Sequence, residues 1–198
     1  MTRTKTIVLR KFEECNEELQ KKILDKHRDI ESEFWGCRMD EYDESYTIHL
    51  EEQGFINPKI RYDLSCCQGS GASFTCDNVD IDVVLKDVEI PHKQTLIDIL
   101  KEYCEVKVEE NGNRRYMHEY SCGVTFNYPS NKDLPLLDKA IDKVTDIIEE
   151  KRLEACSTLY EQLEKDYEYL ESDECVKEAI LANDYYFDEN GNIDTPND

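Results

Sequence analysis

The 198-residue sequence has no apolar run of the length that a membrane span or a signal-peptide core requires. Its N-terminal run Ile7-Val8-Leu9 is three residues long, against roughly 20 for a spanning helix. The expectation is a protein that is neither exported nor membrane-embedded. There is no CxxC pair, and the nine cysteines are an odd number in a chain large for a disulfide scaffold, so reduced thiols in a cytosol are expected. The histidines, His27, His49, His92 and His118, are scattered without ligand spacing. A zinc site would have to be assembled from distant segments such as Cys66, Cys67, Cys76 and Cys122, and no metal and no cofactor is expected. No Gly-Lys-Ser/Thr follows a glycine loop, and no dinucleotide fingerprint opens a helix. Neither a low-complexity linker nor an internal repeat divides the chain.

Positive charge is scarce: 24 Lys and Arg stand against 46 Asp and Glu, a formal net charge of −22. Residues 1–133 carry 18 basic and 27 acidic residues, and residues 134–198 carry 6 and 19. The last third is therefore the acidic pole. Such a field repels nucleic acid and anionic membranes and attracts cationic surfaces, although acidity alone also serves solubility. A hydrophobic fraction of 39% with 12 Tyr, 6 Phe and 1 Trp supplies enough surface to bury, which separates the chain from disordered acidic sequences.

The pattern predicts an α+β fold: a single domain with an antiparallel sheet packed by helices and a long C-terminal helix. Residues 1–133 read as the α+β core, and residues 134–198 as a long acidic helix, a short helix and a terminal hairpin packed on the same domain. A short strand is expected over Thr6 to Leu9. Phe12, Cys15, Leu19, Ile23, Ile30 and Phe34 predict one helix from 12 to Trp35, and a second spans Glu44 to Gln53, capped at Gly54. Ile60 to Leu64 and Ala72 to Cys76 read as strands around a loop, and Val79 to Val88 as a further strand. Pro91 to Cys104 reads as a helix. Asn111-Gly112 predicts a hairpin between Val106–Glu110 and Arg114–Tyr120, with Val124 to Tyr128 added to the sheet. From Leu134 an apolar stripe runs to about Glu171, about 55 Å of helix, with a break foreseen at Lys151-Arg152. Ser172 is the expected cap of a helix through Ala182, and Asn190-Gly191 the turn of a hairpin from Tyr186 to Ile193.

Two sets of residues compete for function. The loop Cys67-Gln68-Gly69-Ser70-Gly71-Ala72-Ser73 could present backbone N–H groups to a small ligand or nucleotide. The ligand set is Gln68, Gly69, Ser70, Gly71 and Ser73, with Arg61 and His118 (and Arg114 and Arg115) supplying positive potential if their strands are neighbours. The plainer reading is a glycine turn joining two strands. Cys66 or Cys67 as nucleophile, with His118 as base and Glu119 or Asp63 to orient it, requires a proximity that the sequence does not show, and no catalytic residue is assigned. An EF-hand in the tail is rejected because Tyr186 and Asn197 occupy its first and twelfth positions. The second set is the acidic helix: Glu149, Glu150, Glu154, Glu161, Glu164, Asp166, Glu168 and Glu171 as a partner-binding surface. Trp35, Tyr160, Tyr167 and Tyr169 are core or interface aromatics, and the long helix alternatively builds a homodimer.

Several segments resemble a family of uncharacterised small acidic proteins of bacteriophages and prophages, some described as antitoxin-like. They are Lys11-Phe12-Glu13-Glu14 opening the first helix, Gly54-Phe55, Gln68-Gly69-Ser70-Gly71-Ala72-Ser73-Phe74, the run Leu159 to Leu170, Ser172-Asp173-Glu174 and Asn183-Asp184-Tyr185-Tyr186-Phe187. Relatives usually read Ser-Gln-Gly-Asp-Gly-Ala in the loop; here Cys67 and Ser70 replace the Ser and the Asp, which weakens any metal or acid–base role that a loop aspartate would serve. The resemblance implies a mobile-element origin and a bacterial cytoplasm. The leading expectation is a non-enzymatic phage accessory protein that binds and inhibits or modulates a basic, nucleic-acid-binding host protein such as a defence nuclease, without touching nucleic acid or membrane itself. The alternative is a small-ligand or nucleotide-binding protein, sponge or enzyme, using the loop 67–74.

Overall fold

The computed structural model describes residues 7–65, 68–112, 116–128 and 135–194, with backbone alone over 34–43. Along the chain run β1 (Arg10–Lys11), a 3-10 turn (Phe12–Glu14), α1 (Glu17–Lys26), a second 3-10 turn (Ser32–Phe34) and α2 (Trp35–Glu52). Next come β2 (Phe55–Ile56), β3 (Lys59–Asp63), β4 (Gly71–Thr75), β5 (Asn78–Val79), α3 (Ile81–Val84), α4 (Lys93–Tyr103) and β6 (Glu105–Glu110). A 3-10 turn (Glu119–Ser121) then leads to β7 (Cys122–Asn127), α5 (Pro135–Leu170), α6 (Asp173–Ala182), β8 (Tyr186–Phe187) and β9 (Ile193–Asp194). The fold is α+β with a long C-terminal helix. Its strands form several small antiparallel sheets, β1-β8-β9, β2-β5, β3-β4 and β6-β7, with an isolated bridge between Cys76 and Val108. Among the described residues no helix is long and apolar enough to cross a membrane.

Local chemistry explains where this differs from the periodicity. The expected first helix is interrupted because Cys15 is extended and Asn16 caps a new start, its side chain accepting from Leu19 N at 2.9 Å. Of the strand expected over Thr6 to Leu9, Thr6 lies outside the described residues and Ile7 to Leu9 are not in a strand; pairing begins at Arg10. The helix expected over Glu44 to Gln53 is the end of α2, stopped at Gly54, whose φ of +94° suits glycine and whose absent Cβ would sit 2.9 Å from Val84 Cγ2. Of the strand expected over Val79 to Val88, only Val79 is in a strand; a one-turn helix, Ile81–Val84, and a turn follow. Asp80 accepts from the N–H groups of Asp82 and Val83, and Ile81, Val84 and Leu85 are buried at helical spacing.

The hairpin expected across Asn111-Gly112 is also replaced. β6 pairs with β7, from Glu105 opposite Asn127 to Glu110 opposite Cys122, so Val106 and Val108 face Phe126 and Val124. Asn111 closes the longer connection, donating from its backbone to Ser121 O and from Nδ2 to Tyr120 O. No break occurs at Lys151-Arg152: α5 runs unbroken for 36 residues, about 54 Å, because Arg152 is turned inward and fully buried. Ser172 caps α6 by accepting from Cys175 N at 3.2 Å, and β8 pairs with β9 as the hairpin pattern foretold.

The chain divides into two compact units, Met1–Met39 with Lys165–Asp198, and Asp40–Glu164. In the first, Phe12, Cys15, Ile23, Val176, Ile180 and Phe187 form the core, with Phe12 and Phe187 edge to face at 6.4 Å. Arg28 ties α1 to the start of α6, donating to Glu171 O at 2.8 Å and to the carboxylates of Asp25 and Asp173. In the second, Phe55 meets Phe74 edge to face at 4.8 Å, and Leu137, Ala140, Val144, Ile148, Leu159 and Leu163 are the buried stripe of α5.

The terminal hairpin carries a pH-sensitive clamp. Asp188 accepts from Asn192 Nδ2 and from the backbone N–H groups of Asn192 and Asn190, bonds that hold its carboxyl down at about 2. A depressed carboxyl contributes stability above its unfolded value near 4, and that contribution is lost as pH falls toward 2. Asp188→Asn is expected to abolish this component. Urea midpoints of the two proteins should converge between pH 4 and pH 2, the parent being the more stable at pH 5.

Candidate binding cleft

The loop that the sequence singles out joins β3 to β4, whose register runs from Lys59 opposite Thr75 to Asp63 opposite Gly71. Its glycines are needed for close approach. A Cβ on Gly69 would lie 2.5 Å from Tyr116 Cδ1, and one on Gly71, where φ is +148°, would lie 2.7 Å from His118 Cα. Gly69 O accepts from Met117 N at 3.2 Å. Ser73 is wholly buried and its hydroxyl accepts from Ser121 Oγ at 3.0 Å. Arg61 is paired with Glu110 at 2.7 Å. His118 does reach the loop, as the sequence allowed, but it caps the 3-10 turn: its Nδ1 accepts from Tyr120 N at 3.2 Å, and its ring stacks on Tyr116 at 5.5 Å. Gln68 is exposed and Ser70 half-buried. Cys66, Cys67, Arg114 and Arg115 lie outside the described residues.

The 3-10 turn is anchored from below by α5. Arg152 has no exposed surface. Its Nη1 donates to Glu119 O at 2.7 Å, and its Nε and Nη2 form a bidentate pair with Glu149 at 3.0 and 2.5 Å. Glu149 in turn accepts from Val124 N of β7 at 3.1 Å. One guanidinium therefore satisfies a carboxylate and a carbonyl, and that carboxylate fastens a strand. Cys156 lies one helical turn further on, within 3.7 Å of Arg152 Nη1. Burial pushes its thiol up to about 12, far from the thiolate that a nucleophile needs.

Above this anchor the loop, the turn and the helix border an open cleft of about 650 Å³. Ser70 and Gly71 come from the loop, Glu119 and Tyr120 from the turn, and Glu150, Leu153, Glu154, Ser157 and Tyr160 from α5, positions that share one helix face by their spacing of three and four. Two sets that the sequence held apart thus meet. Glu150 and Glu154 of the acidic set, both exposed, stand with Ser70 and Gly71 of the loop set. Glu161 is exposed on the same helix and Glu164 half-buried. Glu149 is engaged beneath. In the other unit Glu168 is exposed, Asp166 is half-buried, and Glu171 accepts from Ser32 Oγ at 3.1 Å.

Tyr120, Leu153 and Ser157 went unnoticed in the sequence, since none stands in a motif. Arg152 read as an interruption of an apolar stripe, although its in-register position among buried residues was the available signal. Among the described residues no three His, Cys, Asp or Glu side chains converge to hold a metal ion. The cleft is lined by three carboxylates and no basic side chain.

Fold and site together define an α+β protein with an acidic, tyrosine-lined cleft built on one face of a long helix. Residues 31–173 match the family described as "Domain of unknown function (DUF8835)", and the chain belongs to it. No curated protein and no solved structure matches the chain.

Two outcomes follow from the anchor. Arg152→Met strands Glu149 and the Glu119 carbonyl; Glu149 is one-third exposed, so the loss of unfolding free energy is expected at about 3 kcal/mol, the lower end of the range for breaking a buried pair. Urea denaturation measures it, and Arg152→Lys should recover part. In the native protein at pH 8 Cys156 is expected to stay unlabelled by a thiol reagent while Cys104, which is partly exposed, is labelled first of the two. Mass mapping distinguishes them.

Proposed function

We propose that this protein acts by binding, and that its target is a basic, nucleic-acid-handling protein in a bacterial cytoplasm, a defence nuclease in the phage setting that the resemblance implies. The observation that carries this reading is the exposed carboxylate row of α5. Glu150, Glu154 and Glu161 fall within about 40° of one another around the helix at 100° per residue, and all three are exposed. Lys151 pairs with Glu154 at 2.9 Å, but both ends are solvent-exposed, so the pair takes little from the field.

A row of like charges on a rigid helix disfavours the folded protein slightly and favours encounter with a cationic surface. The protein's own net charge steers in the same direction, accelerating association at low salt. The competing small-ligand reading draws less support, because Gly69, Gly71, Ser73 and Arg61 are each occupied by packing or pairing within the protein.

Immobilised protein is expected to retain nucleic-acid-binding proteins from a bacterial lysate at 50 mM salt and to release them by 500 mM. A Glu150→Gln, Glu154→Gln, Glu161→Gln variant should retain several-fold less. Retention of the same proteins in equal amount by the neutralised variant would overturn the reading, and so would retention of none by either.

A further inference from the structure

We infer that the cleft between the Glu119–Ser121 turn and α5 is a receptor for an arginine side chain presented by that partner; this deepens, and rests on, the binding reading above. Its volume of about 650 Å³ lies in the range of roughly 300–1,000 Å³ usual for ligand sites. It is too roomy for a bare ion and suits a side chain with its flanking backbone. The charged side chains that line it are Glu119, Glu150 and Glu154, of which Glu154 shares its charge with the exposed Lys151 at 2.9 Å.

Aromatic surface accompanies the carboxylates. Tyr120 is 66% exposed although it sits directly beside the buried Ser121 and Cys122, and it lines the cleft together with Tyr160. Carboxylates combined with the exposed Tyr120 ring, which meets His118 edge to face at 6.0 Å, suit a planar guanidinium, which stacks on rings and donates in a fork to carboxylates; an ammonium offers a point charge and no plane to stack. Leu153 supplies apolar wall for the methylene stem.

The receptor is also held in shape before anything arrives. Arg152 fixes the backbone of Glu119 to α5 from beneath, and His118 caps the turn that carries Tyr120, so little ordering remains to be done on binding. The larger hollow of about 990 Å³ beside α2 and α3 has lysines Lys86 and Lys151 among its carboxylates, and its mixed charge singles out no ligand.

The test is titration of the 198-residue chain, followed by NMR and calorimetry, with a capped Gly-Arg-Gly-Arg-Gly peptide and its lysine and citrulline counterparts at about 50 mM salt. The expected result is saturable binding of the arginine peptide, at least threefold weaker binding of the lysine peptide and none of the citrulline peptide, with shifts centred on Gly71, Tyr120, Leu153 and Ser157. Tyr120→Ala and Glu150→Gln should each weaken binding about fivefold or more, whereas Glu102→Gln on α4 and Glu178→Gln on α6, both exposed and outside the acidic row, should leave it within twofold. Thermal melts matching the parent would show that these surface variants remain folded. Equal affinity for arginine and lysine peptides with no effect of Tyr120→Ala, or no binding of either peptide, would overturn the receptor. If the lysate proteins are still retained in a carboxylate-dependent way, only the receptor falls and the binding reading stands.

Discussion

The buried guanidinium of Arg152 is the interaction on which the larger unit depends. A charge without solvent access is tolerated only when its donors are met, and here they reach Glu149 and the Glu119 carbonyl. Because Glu149 also accepts from Val124 N, helix, turn and strand are locked by one connected set of hydrogen bonds. An apolar residue at 152 would fill the volume yet leave the turn untethered. The position of Tyr120 and Glu119 over the helix is thus a consequence of an arginine that points inward.

That lock separates two kinds of acidic residue on α5. Glu149 is spent internally, balancing Arg152, while Glu150, Glu154 and Glu161 remain at the surface. A chain with a net charge of −22 carries self-repulsion that reduces compact-state stability, and a strongly apolar helix stripe offsets it: Val144, Ile148, Cys156, Leu159 and Leu163 are at most 1% exposed. The helix is long and unbroken because its buried face is continuous through Arg152, and its outer face is consequently a straight acidic row with the cleft at its side.

Much of this was legible in the sequence wherever a signal was local. The Ser172 cap, the Gly54 stop, the pairing of β3 with β4 and the terminal hairpin follow from single residues whose conformational preferences are strong. The failures came where local and tertiary terms compete. Within the expected strand over Val79 to Val88, Asp80 and Asp82 alternate with apolar residues, but the Asp80 carboxylate is an N-cap. Asn111-Gly112 suited a two-residue turn, yet the register that buries Val106 and Val108 against β7 prevailed over it. The loop glycines were visible, but their cause, the close passage of Tyr116 and His118, is a long-range contact. The cleft joins residues about 80 positions apart, Ser70 and Glu150 among them, and no spacing rule reaches that far.

The central claim is that the outer face of α5 around the cleft is where a basic partner docks. A photo-crosslinking amino acid placed at Ser157, exposed on that face, and separately at Thr95, exposed on α4, tests it most directly in living bacteria. The account predicts a discrete adduct with a basic nucleic-acid-binding protein from position 157 and none from position 95. An adduct from position 95 with none from 157 would contradict it.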